Sequence, residues 1–353
     1  MTTRESILSA LQSSPDFVSG ESLAESCAVS RTSVWKAIKS LQNEGYLIEA
    51  VSNRGYKFVS APDTIDAKAI GQILSSLGVA PGTISVFAEI DSTLSESKRQ
   101  CAAVSAFRQP DGTLSPQGAK LHRSLIVAGK QTAGRGRMGR IFVSPQNSGV
   151  YFTVIYAPKN GVTNPALLTA AAAVAVARAT DELFDTHAQI KWVNDVFLNG
   201  KKICGILTEG VANFETGRIE AANVGIGINV RDMGFSGELA TIAGSIQEAV
   251  SDKAKAASVT RNQLVAHVVA WLLRFYDAWE TGDHSTAAAC MKEYRERSFL
   301  IGKTVTINPA AGLQGNPYQA KVLDVADDAS LVVQLTDGTQ NALQSGEVTL
   351  HSN

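Results

Sequence analysis

The densest group of residues able to do chemistry is Gly134-Arg135-Gly136-Arg137-Met138-Gly139-Arg140. Its glycines satisfy G-x-G-x-x-G, the dinucleotide fingerprint. That fingerprint needs a helix starting at the third glycine, with small or apolar residues between. Here arginines fill the gaps and IFVSPQNSGVYFTVIY follows as turn and strand, so the Rossmann reading fails. A Walker loop fails too, because no G-K-[ST] follows. What remains is a Gly-rich loop presenting guanidinium groups, suited to wrapping a polyanion such as a nucleotide phosphate. Taken alone, the same stretch also reads as a solvated surface loop.

Three further segments carry polar groups at suggestive positions. Lys191-Trp192-Val193-Asn194-Asp195 and Asn199-Gly200-Lys201-Lys202-Ile203-Cys204-Gly205 flank the short apolar strand Val196–Leu198, which by itself is an ordinary hairpin with solvated lysines. Asp91-Ser92-Thr93 closes the extended run TISVFAEI and by default caps the next helix. Gly225-Ile226-Gly227-Ile228-Asn229-Val230 places glycines in an apolar strand, which suggests close approach of a ligand to the backbone.

These segments need a large scaffold. The chain has 353 residues, 44% hydrophobic and 18% charged, enough for a substantial core and too little charge for disorder. Lys plus Arg number 32 against 33 Asp plus Glu, which excludes a protein that coats nucleic acid by bulk positive charge. Cys27, Cys101, Cys204 and Cys290 are scattered, so neither a disulfide framework nor a structural metal site is expected. MTTRESILSALQ lacks the apolar region of a signal peptide. Ala166–Ala177 is too short to span about 30 Å of bilayer and reads as a buried Ala-rich helix. A soluble, cytoplasmic protein is expected.

The expected fold class is α+β and multidomain, divided at 1–62, 63–300 and 301–353. In the first part Ile7, Leu8 and Leu11 give one helical face, and Leu23, Ala24 and Cys27 mark a second helix. Ser30 caps a third, with Val34, Ile38 and Leu41 at helical spacing up to a stop at Gly45. YLIEAV and YKFVS then form a hairpin around Ser52–Gly55, giving a winged helix-turn-helix. Its third helix, with Arg31, Thr32, Ser33 and Lys36, would enter the major groove, and wing-tip Arg54 would touch phosphate or minor groove. Bases and acids balance here, but Arg31 to Lys39 carries three bases and no acid; the alternative is a helical protein-interaction module. Residues 63–300 alternate strands (TISVFAEI, SLIVAGK, GVYFTVIY, IKWVNDVFL, ICGILTEG, EAANVGIGINV) with helices at Ile65–Leu77, Ala166–Leu183 and Thr260–Glu280. Arg108–Arg123 and Arg231–Thr260 read as loops. From Gly302 onward short strands, with Asp337-Gly338 as a hairpin turn, suggest a small all-β barrel.

GKQTAGRGRMGR, KWVNDVFLNGKKICGI and GIGINV, in this order, resemble biotin protein ligases, and the N-terminal module resembles that of bifunctional members which also repress biotin synthesis. The resemblance covers nearly the whole chain. It implies a winged helix-turn-helix, a central α/β ligase domain with a mixed sheet, and a C-terminal SH3-like barrel. It further implies an enzyme that joins biotin's carboxylate to the α-phosphate of ATP, with Mg²⁺ as counter-ion and no metal site of the protein's own. The biotinyl group then passes to a lysine of a biotin carboxyl carrier protein.

Residue by residue, Lys202 matches the lysine bridging carboxylate and phosphate, and Arg135 and Arg137 match the loop that folds over the adenylate. Ser92, Thr93 and Gln131 would satisfy the ureido ring, with Gly134, Arg135, Gly205 and Gly225 around the biotin slot. Arg137, Arg140, Phe142, Asn194 and Asn229 match positions near the nucleotide. Operator DNA and a ligand-promoted homodimer are the implied partners, with no membrane. The chain departs from the family at Leu94 (usually Asn), Val193 (usually Pro) and Phe142 (often Trp). The spacing from Asp91 to Gln131 is about fifteen residues longer than usual, the excess falling in Arg108–Arg123 as a surface insertion. Two rivals stay open: a lipoate-type acyl ligase, against which the Ser92/Thr93/Gln131 set speaks, and a ligand-sensing transcription factor with lost catalysis, against which Lys202, Arg135 and Arg137 speak.

Overall fold

A computed structural model describes residues 2–43, 46–60, 63–213, 216–308 and 316–350. The helix stop expected at Gly45 and the linker residues Ala61 and Pro62 lie outside the described residues. The chain forms two compact units, Met1–Thr64 and Ile65–Asn353.

In the first unit α1 (Thr3–Gln12), α2 (Gly20–Ser26) and α3 (Arg31–Asn43) precede the antiparallel strands β1 (Leu47–Val51) and β2 (Gly55–Ser60). Each helix starts at a capping hydroxyl. Thr2 and Glu5 form a capping box, Ser19 accepts from Ser22 N–H, and Ser30 accepts from Ser33 N–H at 3.1 Å. Ile7, Leu11, Leu23, Val34, Ile38 and Leu41 then meet as the core of a small helical head. Gly55 has φ +101°, and a Cβ there would lie 2.1 Å from the Val18 carbonyl oxygen, so only glycine lets the wing start against α2's approach. The Arg54 guanidinium stacks 4.4 Å above the Phe17 ring, which holds the wing tip to the loop before α2.

The second unit runs α4 (Ala67–Ser76), β3 (Ile84–Phe87), α5 (Thr93–Ala102), α6 (Pro116–Leu121), β4 (Leu125–Ala128), β5 (Gly149–Tyr156) and α7 (Pro165–Phe184). Then come β6 (Gln189–Lys191), β7 (Asp195–Leu198), β8 (Lys201–Ala212), β9 (Ile219–Asn229), α8 (Gly237–Ile242), α9 (Ile246–Ala249), α10 (Lys253–Ser258), α11 (Arg261–Thr281) and α12 (His284–Arg297). Seven strands make one mixed sheet in the order β3-β4-β5-β9-β8-β7-β6, parallel only between β3 and β4. Val150, Phe152, Val154, Val224, Ile226 and Ile228 bury one face with α7 and α11. Ala170 to Ala177 are fully buried, their small side chains letting α7 lie close on the sheet. α11 opens with a Thr260/Gln263 capping box and ends at Gly282 with φ +76°.

Four sequence expectations need correction. Arg108–Arg123 contains α6, which Ser115 caps and Pro116 opens. Arg231–Thr260 holds α8, α9 and α10, each too short for a hydrophobic period to show. IKWVNDVFL is two paired strands, β6 and β7, with a tight connection at 192–194, because Lys191 pairs with Asp195. α12 was not expected; only Cys290, Met291 and Tyr294 of its residues are buried, so its apolar stripe is thin.

At the C-terminus β10 (Thr304–Asn308), β11 (Tyr318–Val325), β12 (Leu331–Gln334), β13 (Gln340–Leu343) and β14 (Glu347–Leu350) form an antiparallel sheet in the order β13-β12-β11-β10-β14. Gly338 takes φ +88° in the turn between β12 and β13. This sheet shares the core of the second unit and is pinned to it by Trp192 Nε1–H donating to the Ala329 carbonyl at 2.8 Å and Asn164 Nδ2 donating to the Asp328 carbonyl at 2.7 Å. No helix among the described residues is long and apolar enough to cross a membrane.

Candidate functional site

The sheet face away from α7 carries a notch made by missing side chains. Gly205 on β8 lies opposite Gly227 on β9, and Gly225 lies between Leu207 and Thr153 of the flanking strands. α5 covers this notch, with Leu94 3.5 Å from where a Gly225 Cβ would be. The result is a narrow slot of about 60 Å³ lined by Ser92, Thr93, Gln131, Arg135, Gly205 and Gly225 among others. It adjoins a wider cavity of about 530 Å³, lined by Arg140, Lys191, Asp195, Asn229 and Glu347 with an apolar rim. Arg137, Phe142, Asn194 and Lys202 line both.

Polar groups in the slot are held in a chain. Thr153 hydroxyl donates to Thr93 Oγ1 at 2.9 Å, and Thr93 N–H donates to Gln131 Oε1, also at 2.9 Å. Gln131 Nε2 donates in turn to Ser144 Oγ at 2.9 Å. Ser92 is the N-cap of α5, as the capping reading of Asp91-Ser92-Thr93 expects, and Ser92 and Thr93 also line the slot. Thr153 and Ser144 were not anticipated; they stand behind the lining, in an apolar strand and a loop, and hold Thr93 and Gln131 from there.

At the junction a second chain fixes the cations. Arg137 donates to Asn194 Oδ1 at 2.8 Å, and Asn194 Nδ2 donates to Asp195 Oδ1 at 2.8 Å. Asp195 Oδ1 lies 2.7 Å from Lys202 Nζ. Asp195 was overlooked by sequence reasoning, although its place next to Asn194 on the strand facing Lys202 could have revealed it. Lys191 is not a solvated lysine: burial lowers its pKa, with Asp195 opposing that shift. Lys201, by contrast, turns aside to donate to the Ala240 and Thr241 carbonyls. Arg135, Arg137, Arg140, Lys191 and Lys202 line the two spaces with the Asp195 and Glu347 carboxylates, and Glu209 lies 3.5 Å from Arg135, a balance that still favours a polyanion.

The arginine loop is shaped from below. Met138 at φ 56° and Gly139 at φ 75° turn it through the left-handed region. A short turn at 137–139 follows rather than an α-helix. Arg140 pairs with Glu347 through Nη2 and Oε2 at 2.8 Å, and Arg137 donates to the Gly346 carbonyl at 3.0 Å, so the loop rests on the C-terminal sheet. Gly134 lies outside the lining of either space. A Cβ there would sit 2.3 Å from the Phe142 carbonyl oxygen, so Gly134 closes the base of the loop instead. The Phe142 ring lies on Gly227, where a Cβ would come within 2.5 Å of it.

Asn229 is 3% exposed at the cavity wall. Its Nδ2 donates to the Gly244 carbonyl at 3.0 Å, while its Oδ1 is buried with no partner among the described residues. An orphan buried acceptor invites a donor from a ligand. No group of three or more potential metal ligands occurs among the described residues.

Below the slot, Arg99 donates twice to Asp91, both at 2.8 Å, and this pair lowers the Asp91 pKa from 3.8 to about 2. A carboxylate acidified on folding stabilises the fold above its unfolded pKa and loses that contribution as pH falls toward the folded value. Chemical denaturation between pH 4 and 2 should therefore show wild type losing stability more steeply than Asp91→Asn. The exposure of both partners keeps the difference small. Parallel slopes would show that the pair contributes nothing.

Residues 113–229 match the Biotin/lipoate A/B protein ligase family, and residues 3–57 match an HTH domain. The bifunctional ligase/repressor BirA of Bacillus subtilis is 30% identical over 341 residues, which are 96% of this chain and 95% of that protein. The bifunctional ligase/repressor BirA of Escherichia coli is 29% identical over 223 residues, 63% of this chain and 62% of that protein. The biotin protein ligase from Aquifex aeolicus, solved in complex with biotin and ATP, shares the fold with a TM-score of 0.59 at 21% identity, covering 77% of this chain and 99% of that one. With a helix-turn-helix head and a ligase body matched along almost its whole length, the chain belongs to the family of bifunctional biotin ligase/repressors.

Proposed function

We propose that the chain joins biotin to ATP, forming biotinyl-5′-AMP and releasing pyrophosphate, and then transfers the biotinyl group to a lysine of a biotin carboxyl carrier protein. The observation that carries this reading is Lys202, a wall common to the narrow slot and the wide cavity. A carboxylate emerging from the slot and an α-phosphate held in the cavity meet there, and an ammonium between two approaching anions stabilises the transition state electrostatically. The carboxylate oxygen attacks phosphorus, the bond to pyrophosphate breaks, and later the acceptor amine displaces AMP from the mixed anhydride. No nucleophile of the protein is needed.

In this reading Ser92, Thr93 and Gln131 bind the ureido ring, and Gly205 and Gly225 leave room for the bicycle and its apolar tail. Arg135 and Arg137 cover the adenylate, Arg140 takes a phosphate oxygen, and Phe142 packs on the nucleotide. Asn194 holds Arg137 and Asp195 in place, and Asn229 Oδ1 accepts from the adenine amine. Gly134 acts through the loop it closes. Mg²⁺ would arrive with the triphosphate, since divalent magnesium is commonly held by substrate phosphates and one or two carboxylates. Asp195, on the cavity wall, would be the carboxylate that shares it, and the ion would neutralise charge on the departing pyrophosphate.

The 1–62, 63–300 and 301–353 segments are proposed as the DNA-reading, ligase and SH3-like barrel domains, acting in the cytoplasm. Arg31, Thr32, Lys36 and Arg54 would contact operator DNA; Ser33 supports them by pairing with the Ser30 cap at 2.9 Å. Ordering of the arginine loop by adenylate would favour a homodimer that presents two heads.

The test is ATP–pyrophosphate exchange with Mg²⁺ and either biotin or lipoate, with sedimentation of the same samples. Biotin-dependent exchange and a ligand-promoted rise in mass are expected. Exchange with lipoate alone would assign an acyl ligase. Biotin binding without exchange would leave a ligand-sensing repressor, and an unchanged monomer would remove the dimer.

A further inference from the structure

α3 buries Val34, Ala37, Ile38 and Leu41 and turns Arg31, Thr32, Trp35, Lys36 and Lys39 outward on a single face. Trp35 is 53% exposed, the largest apolar side chain left in water in this unit. An exposed indole offers a broad apolar face with a polar edge, the kind of side chain enriched where a partner covers it. Every charged residue from 31 to 39 is basic, so the covering surface is an anionic one. A flat aromatic ring flanked by cations on the outer face of the third helix of a helix-turn-helix fits the floor of the major groove. There the thymine methyl is the one apolar group that distinguishes a base.

We propose that Trp35 is a base-reading residue, packing its indole on a thymine C5-methyl while Arg31, Lys36 and Lys39 take the flanking phosphates. The inference deepens the DNA-reading role proposed for the head and rests on it. Phosphate contacts hold the helix in register and carry no sequence information, whereas an apolar contact to one methyl carries sequence information and no salt dependence. Trp35 and Lys36, neighbours on one face, thus have separable signatures.

The experiment is selection from a random duplex library with the full chain plus biotin, ATP and Mg²⁺, followed by titration of the selected duplex with thymines replaced one at a time by deoxyuridine. Wild type should enrich a pattern with a fixed thymine, and loss of that one methyl should weaken binding about tenfold. Trp35→Ala should bind thymine and uracil duplexes alike, with an unchanged salt slope, and Trp35→Phe should keep part of the preference. Lys36→Ala should keep the full preference and lower the salt slope by about 1. If wild type enriches a pattern but ignores every methyl, or Trp35→Ala still discriminates thymine from uracil, Trp35 does not read the base. If wild type enriches nothing, the DNA-reading role itself fails and the inference falls with it. The deoxyuridine series on wild type needs no variant to fold.

Discussion

Lys202→Ala should slow biotin-dependent ATP–pyrophosphate exchange by about 10²- to 10³-fold, the range for removing one preorganised donor from a site of developing charge. Two effects act together. The ammonium that meets both anions is lost, and Asp195, 2.7 Å from it, is left without its countercharge facing the cavity. The bare carboxylate then repels the groups that must approach. Biotin affinity should change little, because Thr93, Gln131 and Thr153 keep their chain of hydrogen bonds. Lys202→Arg should recover part of the rate, since charge is kept but the fork cannot occupy the same point. Calorimetric binding beside the exchange assay separates these outcomes, and a Lys202→Ala enzyme with wild-type exchange would take Lys202 out of the chemistry.

Gly134→Val should cost exchange about 10²-fold through position alone, as shifts near 1 Å in a reacting site can. The would-be Cβ meets the Phe142 carbonyl at 2.3 Å and Ser144 Oγ at 2.7 Å; the first is backbone and cannot swing away. The Phe142 N–H bond to the Gly134 carbonyl, 2.9 Å long, must open, and with it the base of the loop that carries Arg135 and Arg137. Overpacking of this kind lowers stability by about 1–3 kcal/mol. Gly139 makes the useful contrast. It has φ +75° with nothing within 4 Å, so Gly139→Ala meets only the left-handed backbone cost of roughly 1–2 kcal/mol. Urea midpoints should then shift similarly for both variants while exchange falls far more for Gly134→Val. Equal exchange in the two would mean that the pinch at Gly134 does not place the arginines.

The long, strongly patterned elements were readable because their signals are local. The Thr260 capping box, the apolar repeat Leu264, Val268, Leu272 and Phe275 of α11, the alanine run of α7 and the Asn199-Gly200 turn all lie within a few residues of the structure they encode. What escaped depends on pairing between distant strands. Thr153 stands behind Thr93 and beside Gly225 only because β5 lies beside β9, and Asp195 meets Lys202 only because β7 and β8 form a hairpin with a register shift between Val196 and Phe197. Lys191 looked solvated because a hairpin in isolation has two wet faces; β6 instead closes over the cavity. Gly134 was placed in the lining because motif residues are easily taken for contact residues, whereas its lack of a side chain serves the packing behind the loop. Short helices such as α6 and α9 hold too few turns for any period to emerge.

The paired glycines on β8 and β9 have a thermodynamic consequence. Gly205, Gly225 and Gly227 remove side chains from the middle of the sheet, and glycine within a strand costs roughly 0.5–1 kcal/mol against alanine. The Phe142 ring covers Gly227 and Leu94 approaches Gly225, and under the proposed function biotin would cover the rest of this bare stretch. A molecule that binds only the folded state at 100 times its dissociation constant adds about 2.7 kcal/mol of stability. Empty chains open more often and are exposed to proteolysis in proportion to that open population. Under the proposed function, the lifetime of the protein would be coupled to the supply of biotin.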